Sequence, residues 1–210
     1  MEARQNEIQT LEADITTNVH STHKNFPTVR QQGKIYVKSP NRSRVEITTP
    51  YKQTTITNGN QIKVIDEESG QYQISDISEK EGAAPLLPHG GGAIDPVKAL
   101  EYFDLRITKN TNKEIVLEGI PKKQTPSLTK LVLTLSAEHF LPVHIALWGE
   151  EGQRISDTTI TYRIISGIYV PLRNDATVLL PDANKMNVEI EFENVAVNAP
   201  IPDEKFQIEE

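Results

Sequence analysis

The chain contains no cysteine among its 210 residues. Disulfides, cysteine-ligated zinc and thiol catalysis are therefore excluded, and the chain is compatible with either redox compartment. Aromatic residues make up only 6%, with a single tryptophan. No apolar run approaches the roughly 18 residues of a membrane-spanning helix; the longest apolar stretches, around 131–135 and 143–148, are strand-length. Excess positive charge is also missing: the net charge is −7, whereas a nucleic-acid footprint needs a basic face. No cleavable leader is visible at the start, where a polar run, Glu2-Ala3-Arg4-Gln5-Asn6, follows Met1.

What is present is strand pattern. Residues 33–72 carry four short runs of β-formers: 34–38, 44–48, 53–57 and 61–65. Ser39-Pro40-Asn41 and Thr49-Pro50 end strands, because proline lacks a ladder donor, and Asn58-Gly59 supplies the positive φ of a type I′ hairpin. Each strand turns back on its neighbour, which predicts an antiparallel meander. Ile35/Val37, Val45/Ile47 and Ile62/Val64 alternate with polar residues, giving one apolar and one wet face.

Elsewhere, Ile8, Leu11 and Ile15 recur at helical spacing and predict a helix over 2–13 lying across the sheet. The Thr/Val-rich stretch 14–24 reads as a strand, with Phe26-Pro27 turning into the meander. After residue 78 come three prolines and Gly90-Gly91-Gly92 within 83–96, a loop that keeps Leu86, Leu87 and Ile94 apolar. It reads either as a lid or as a crossover whose leucines plug the core edge. Asp95 as N-cap and Pro96 as first residue begin a helix through Tyr102. Further strands follow at 105–109, 114–117, 130–135, 143–148 and 155–164, with 168–171 and 177–180 as edge pieces and 186–194 as a last long strand. The expectation is one domain over 1–210: helix and first meander (1–78), lid loop and helix (79–104), and a second set of strands (105–210). Ten or eleven strands must curl, split or close. A mainly β fold with two or three short helices follows, its curved antiparallel sheet stoppered by helices and loop.

The candidate binding surface is the apolar set Ile35, Val37, Val45, Ile47, Ile56, Ile62, Val64, Leu131, Leu133, Leu135, Val143, Ile145, Leu147, Ile160, Tyr162, Val188, Ile190 and Phe192, under a lid of Leu86, Leu87 and Ile94. The same residues could equally be a filled core; small branched side chains leave room and favour a cavity. Catalytic signals are thin. His89-Gly90-Gly91-Gly92 is like an esterase oxyanion loop, but no G-x-S-x-G elbow accompanies it. His20 and His23, and His139 and His144, lack metal-site spacing and read as surface residues. Asp66-Glu67-Glu68 and Glu150-Glu151 read as solvated turns. No cofactor, metal or catalytic group is expected.

The run Gly33, Ile35, Val37, Lys38, Pro40, Asn41, Pro50, Asn58, Gly59 resembles the LolA/LolB-like outer-membrane lipoprotein carrier proteins. So do the hairpin 131–148, the strand 158–164 and the ending Asn194-Val195 with 201–206. The resemblance implies an unclosed β-barrel with a helical lid. It implies a periplasmic, monomeric carrier of lipoprotein acyl chains, with an inner-membrane release complex and an outer-membrane acceptor as partners. Where those carriers hold an arginine before the motif proline, bonded to the lid, this chain has Ser39, and Ser43 and Val45 replace the usual aromatics. A sister role is the alternative: an envelope sensor or interaction module binding a lipid, peptide or partner protein without transport, or a form anchored to a membrane by a lipid. A protein partner captured without lipid would separate it from a carrier.

Overall fold

In a computed structural model, which describes residues 8–26, 28–76, 102–123, 128–180 and 182–209, the chain forms one thirteen-stranded antiparallel sheet. The strands are β1 (Thr10–Ser21), β2 (Val29–Lys38), β3 (Arg42–Thr49), β4 (Gln53–Asn58), β5 (Gln61–Asp66) and β6 (Tyr72–Asp76). Then come β7 (Phe103–Asn110), β8 (Glu114–Pro121), β9 (Lys130–Ser136), β10 (Pro142–Trp148), β11 (Arg154–Ile165), β12 (Ile168–Leu179) and β13 (Lys185–Val197). Their order is β6-β5-β4-β3-β2-β1-β13-β12-β11-β10-β9-β8-β7. Every neighbour but one is a sequence neighbour; the exception, β1 against β13, joins the two ends of the chain. β6 and β7, consecutive in sequence, end the order, so the strongly curved sheet is an unclosed barrel with its gap between them.

Three expectations need correction. Residues 10–13 are strand, not helix: Leu11, Ala13 and Ile15 face one way along β1, which pairs on both sides. The segments 168–171 and 177–180 are not edge pieces but one central strand, β12, and Pro171 is tolerated there at a register shift opposite Thr161/Tyr162. The hairpin after β4 turns on Gly59-Asn60, since Asn58 pairs with Gln61; positive φ falls on Gly59 alone (61°), which suits a type II′ turn rather than I′. Helix is nearly absent among the described residues; a 3-10 turn spans Asp203–Phe206. The expected helix over 96–102 and the lid residues Leu86, Leu87 and Ile94 lie outside the described residues, apart from Tyr102.

The cross-strand register assigns each residue to a face. One face, here called inner, carries two apolar clusters. The first joins Phe103, Leu117, Leu128, Leu131, Leu133, Leu135, Ile145, Leu147 and Ile160 across β7–β11. The second joins Ala13, Ile15, Ile35 and Phe192 across β13, β1 and β2. The outer face has a small core of its own, in which Tyr36 packs with Ile201 and Phe206 of the C-terminal tail. That tail is tied down by side chains of successive strands. Lys38 and Arg42 reach Asp203 at 2.6 and 2.8 Å, Arg44 donates to the Lys205 carbonyl at 3.3 Å, and Asn58 donates to that of Phe206 at 3.2 Å. At Gly33 the backbone of β3 comes so close that a Cβ would sit 1.9 Å from the Glu46 carbonyl oxygen, so glycine is required there.

Candidate apolar binding face

The inner face is built by period-two alternation. Ile35 stands opposite Val45 and Gly33 opposite Ile47; across β4, Thr55 is opposite Val64 and Thr57 opposite Ile62. On the other wing Leu133 is opposite both Leu117 and Ile145, and Leu131 opposite Leu147. Thr17 faces Ile190 and Val19 faces Val188 where the wings meet.

Charge is sorted between the faces. On β1, β2, β3, β12 and β13 the acids and bases all fall on the outer register: Glu12, Asp14, Arg30, Lys34, Lys38, Arg42, Arg44, Glu46, Arg173, Asp175, Lys185, Glu189, Glu191 and Glu193. Several pair among themselves. Lys34 lies 3.3 Å from Asp14, and Arg173 is held by Asp175 at 2.9 Å and by Glu191. The hydrogen bond from Asn194 and then Lys34 hold the Asp14 carboxyl below its usual value. The Asp175 carboxylate pushes Arg173 still further above its ordinary range, so it stays charged. On the inner face, burial pushes the Tyr162 phenol upward, so it stays neutral. A neutral, uncharged lining is what hydrocarbon demands, because an unpaired charge against it would lose its hydration.

The predicted residues divide into groups. Leu131, Leu133, Leu135, Ile145, Leu147 and Ile160 belong to the first cluster, with Tyr162 packed against it. Ile35 and Phe192 belong to the second, with Val37, Val45 and Ile190 against it. Ile47, Ile62, Val64 and Val188 share the inner face by register but belong to neither cluster, and each is half-buried. Ile56 does not belong to this face: opposite Arg44, it is buried on the outer side, on the strand that meets the tail's 3-10 turn. The inner row of β4 is instead Gln53, Thr55 and Thr57. Val143 sits at the register shift of β10 and joins neither cluster. Sequence reasoning missed Leu11, Ala13 and Ile15, whose alternation was the available signal, and Phe103, Leu117 and Leu172.

The four described histidines do not converge. His144 contacts Asp157 at 2.9 Å, His139 contacts the Tyr169 hydroxyl at 2.9 Å, His20 contacts Thr28 at 2.9 Å and His23 lies 3.3 Å from Asp182. No grouping of His, Asp and Glu among the described residues is fit to hold a metal ion. A shallow depression of about 300 Å³ lined by Arg154, Asp157, Thr177, Leu179 and Lys185 opens on the outer face, away from the apolar rows.

The chain is 30% identical over 102 residues to an outer-membrane lipoprotein carrier protein of Alcanivorax borkumensis, a match spanning 49% of this chain and 47% of that protein. In fold it is similar to a LolA superfamily protein from Nitrosomonas europaea, with a TM-score of 0.67 at 14% identity over 99% of this chain and 95% of that one. It is also similar to a DUF1329 family protein from Desulfovibrio piger, with a TM-score of 0.70 at 12% identity over 95% and 90% of the two chains. Residues 6–160 match the family described as outer membrane lipoprotein carrier protein LolA. A single unclosed antiparallel barrel with charge on one face and aliphatic rows on the other is thus accompanied by a family match over most of the chain, and the protein belongs to the LolA family.

Proposed function

We propose that this protein is a non-catalytic carrier that holds acyl chains, those of a lipoprotein or another lipid, against its inner face and hands them on within the cell envelope. The observation that carries the reading is the partial burial of Ile47, Ile62, Val64 and Val188. They stand on a face free of charge along β1, β2, β3, β12 and β13, with Asp66 at the end of β5 on its register, and they belong to neither of the two clusters beside them. Partly exposed aliphatic side chains in such a place are a surface on which hydrocarbon can be laid. Each methylene so covered is worth about 0.8 kcal/mol. Three long chains in water are costly to leave bare, and a shallow face holds them loosely enough to release. Membership of the LolA family and the half-length match to a lipoprotein carrier support the same reading. The expected compartment is the periplasm, with a membrane release complex and an acceptor as partners.

The test is native mass spectrometry of protein purified from a lipid-rich bacterial host, with an apolar dye titrated in parallel. The reading requires co-purifying acyl species or saturable dye binding that long-chain fatty acid displaces. Protein that carries no lipid and binds no apolar probe contradicts it.

A further inference from the structure

The inner face is aliphatic on one wing and striped on the other. Across β8, β9 and β10 its rows are closed: Leu117, Leu133 and Ile145 stand side by side, all buried. Across β3–β6 the strands alternate in kind. β3 brings Val45 and Ile47 to this face, and β5 brings Ile62 and Val64. Between and beside them, β4 brings Gln53, Thr55 and Thr57, and β6 brings Gln73 and Ser75. Val45, Thr55, Val64 and Gln73 therefore make one row across the wing, and Ser43, Thr57, Ile62 and Ser75 make the next. Neighbouring strands lie about 5 Å apart, so a hydrocarbon chain on β5 has neutral polar groups on both sides.

These polar groups are unspent. The side chains of Gln53, Thr55, Thr57, Gln73 and Ser75 make no hydrogen bond to another described residue. Thr57 is buried, Gln53, Thr55 and Ser75 are partly exposed, and Gln73 is exposed. A face built for bare hydrocarbon gains nothing from hydroxyls and amides, because covering them strips their water without replacing it. A ligand that brings carbonyls and hydroxyls replaces that water bond for bond. Charge is treated differently. On the described strands β1–β6 no basic residue falls on the inner register. The acid that does, Asp66 at the end of β5, accepts from the Glu68 and Ser69 amides of its own turn at 3.0 and 2.8 Å. A carboxylate laid on these stripes would lose its water, find no cation and meet a like charge.

We propose that the β4 and β6 stripes select the polar part of the ligand: they take the uncharged ester and hydroxyl groups of an acylglycerol-type lipid and disfavour free fatty acid. The inference rests on the acyl-chain reading and names the class of lipid that the same face prefers. The experiment displaces an apolar dye from the full chain with monooleoylglycerol and with oleate, in mildly alkaline buffer and below micelle-forming concentrations. Monooleoylglycerol should bind about tenfold more tightly than oleate. In Thr55→Val/Gln73→Leu, which removes one polar group from each stripe at nearly constant size, that ratio should fall about threefold or more. Dye affinity should hold or rise in this variant, and its melting temperature should stay at the wild-type value. Gln73→Leu alone, at an exposed position, should also lower the ratio and serves if the double variant does not fold. Oleate that binds as tightly as monooleoylglycerol, or a folded variant that keeps the wild-type ratio, overturns the proposal and leaves the carrier reading standing. Wild-type protein that binds neither dye nor either lipid removes both.

Discussion

Ile35 and Tyr36 are neighbours in the chain, and both are buried, at 1% and 6% exposure, on opposite faces of one sheet. Ile35 enters the inner cluster with Ala13, Ile15 and Phe192; Tyr36 enters the outer one with Ile201 and Phe206. A strand that alternates cannot bury both neighbours unless each face is covered. Over β2–β4 the outer cover is the C-terminal tail, so the wing that carries Val45, Ile47, Ile62 and Val64 is braced from behind.

The brace sets the first prediction. Phe206, 1% exposed, loses its contacts when truncated, so Phe206→Ala should cost about 3 kcal/mol in urea denaturation. Hydrogen exchange should quicken in β2–β4 before β9 and β10.

Acid should loosen the same brace. The hydrogen bond from Lys38, its charge, and then Arg42 hold the Asp203 carboxyl below the ordinary 3.8. A carboxylate whose folded pKa is depressed contributes stability above its unfolded pKa and loses it as pH falls through the lower, folded value. The melting temperature should therefore drop as pH falls below 3.8. Asp203→Asn should lower it at neutral pH and flatten that acid limb; identical limbs in the two proteins would remove Asp203 from the account.

Core and cavity positions should respond in opposite ways. Leu133, 0% exposed, is core, and Leu133→Ala should cost about 3 kcal/mol. Val64, half-buried and outside both clusters, should accept Val64→Trp with about 1 kcal/mol or less of change. The tryptophan should nevertheless cut dye affinity by filling the surface the ligand uses. Equal affinity for wild type and Val64→Trp would place the ligand elsewhere.

Gly33 gives the sharpest backbone prediction. An added methyl would fall 1.9 Å from the Glu46 oxygen, and the β2–β3 register leaves that carbonyl nowhere to go. Gly33→Ala should cost about 2 kcal/mol or more by chemical denaturation.

Much of this was readable in the sequence. The β2–β5 meander, the β9–β10 hairpin and β13 follow from alternation and turn residues, and most of the inner aliphatic rows follow with them. The start of β1, residues 10–13, was not, because Leu11 and Ile15 satisfy helical spacing from Ile8 as well as the period of two through Ala13; the rest of β1 was read as strand. Pairing with β2 and β13 decides for strand, and pairing is not local. β12 was split by Pro171, which a central strand admits only at a register shift. Ile56 was assigned inward because the tail segment that meets β4 on the outer side is some 150 residues away, on a face that is wet in an ordinary one-sided sheet. The two aromatics on the tail-bearing face, Tyr36 and Phe206, were the unused clue.

The central claim is that hydrocarbon lies on the inner face. Methyl-resolved NMR with a spin-labelled fatty acid tests it most directly. The account predicts paramagnetic broadening at Ile47, Ile62, Val64, Val188 and Ile190, with the outer-face methyls of Ile56 and Ile65 left sharp. Broadening at Ile56 and Ile65 instead, or at no methyl at saturating ligand, would contradict it.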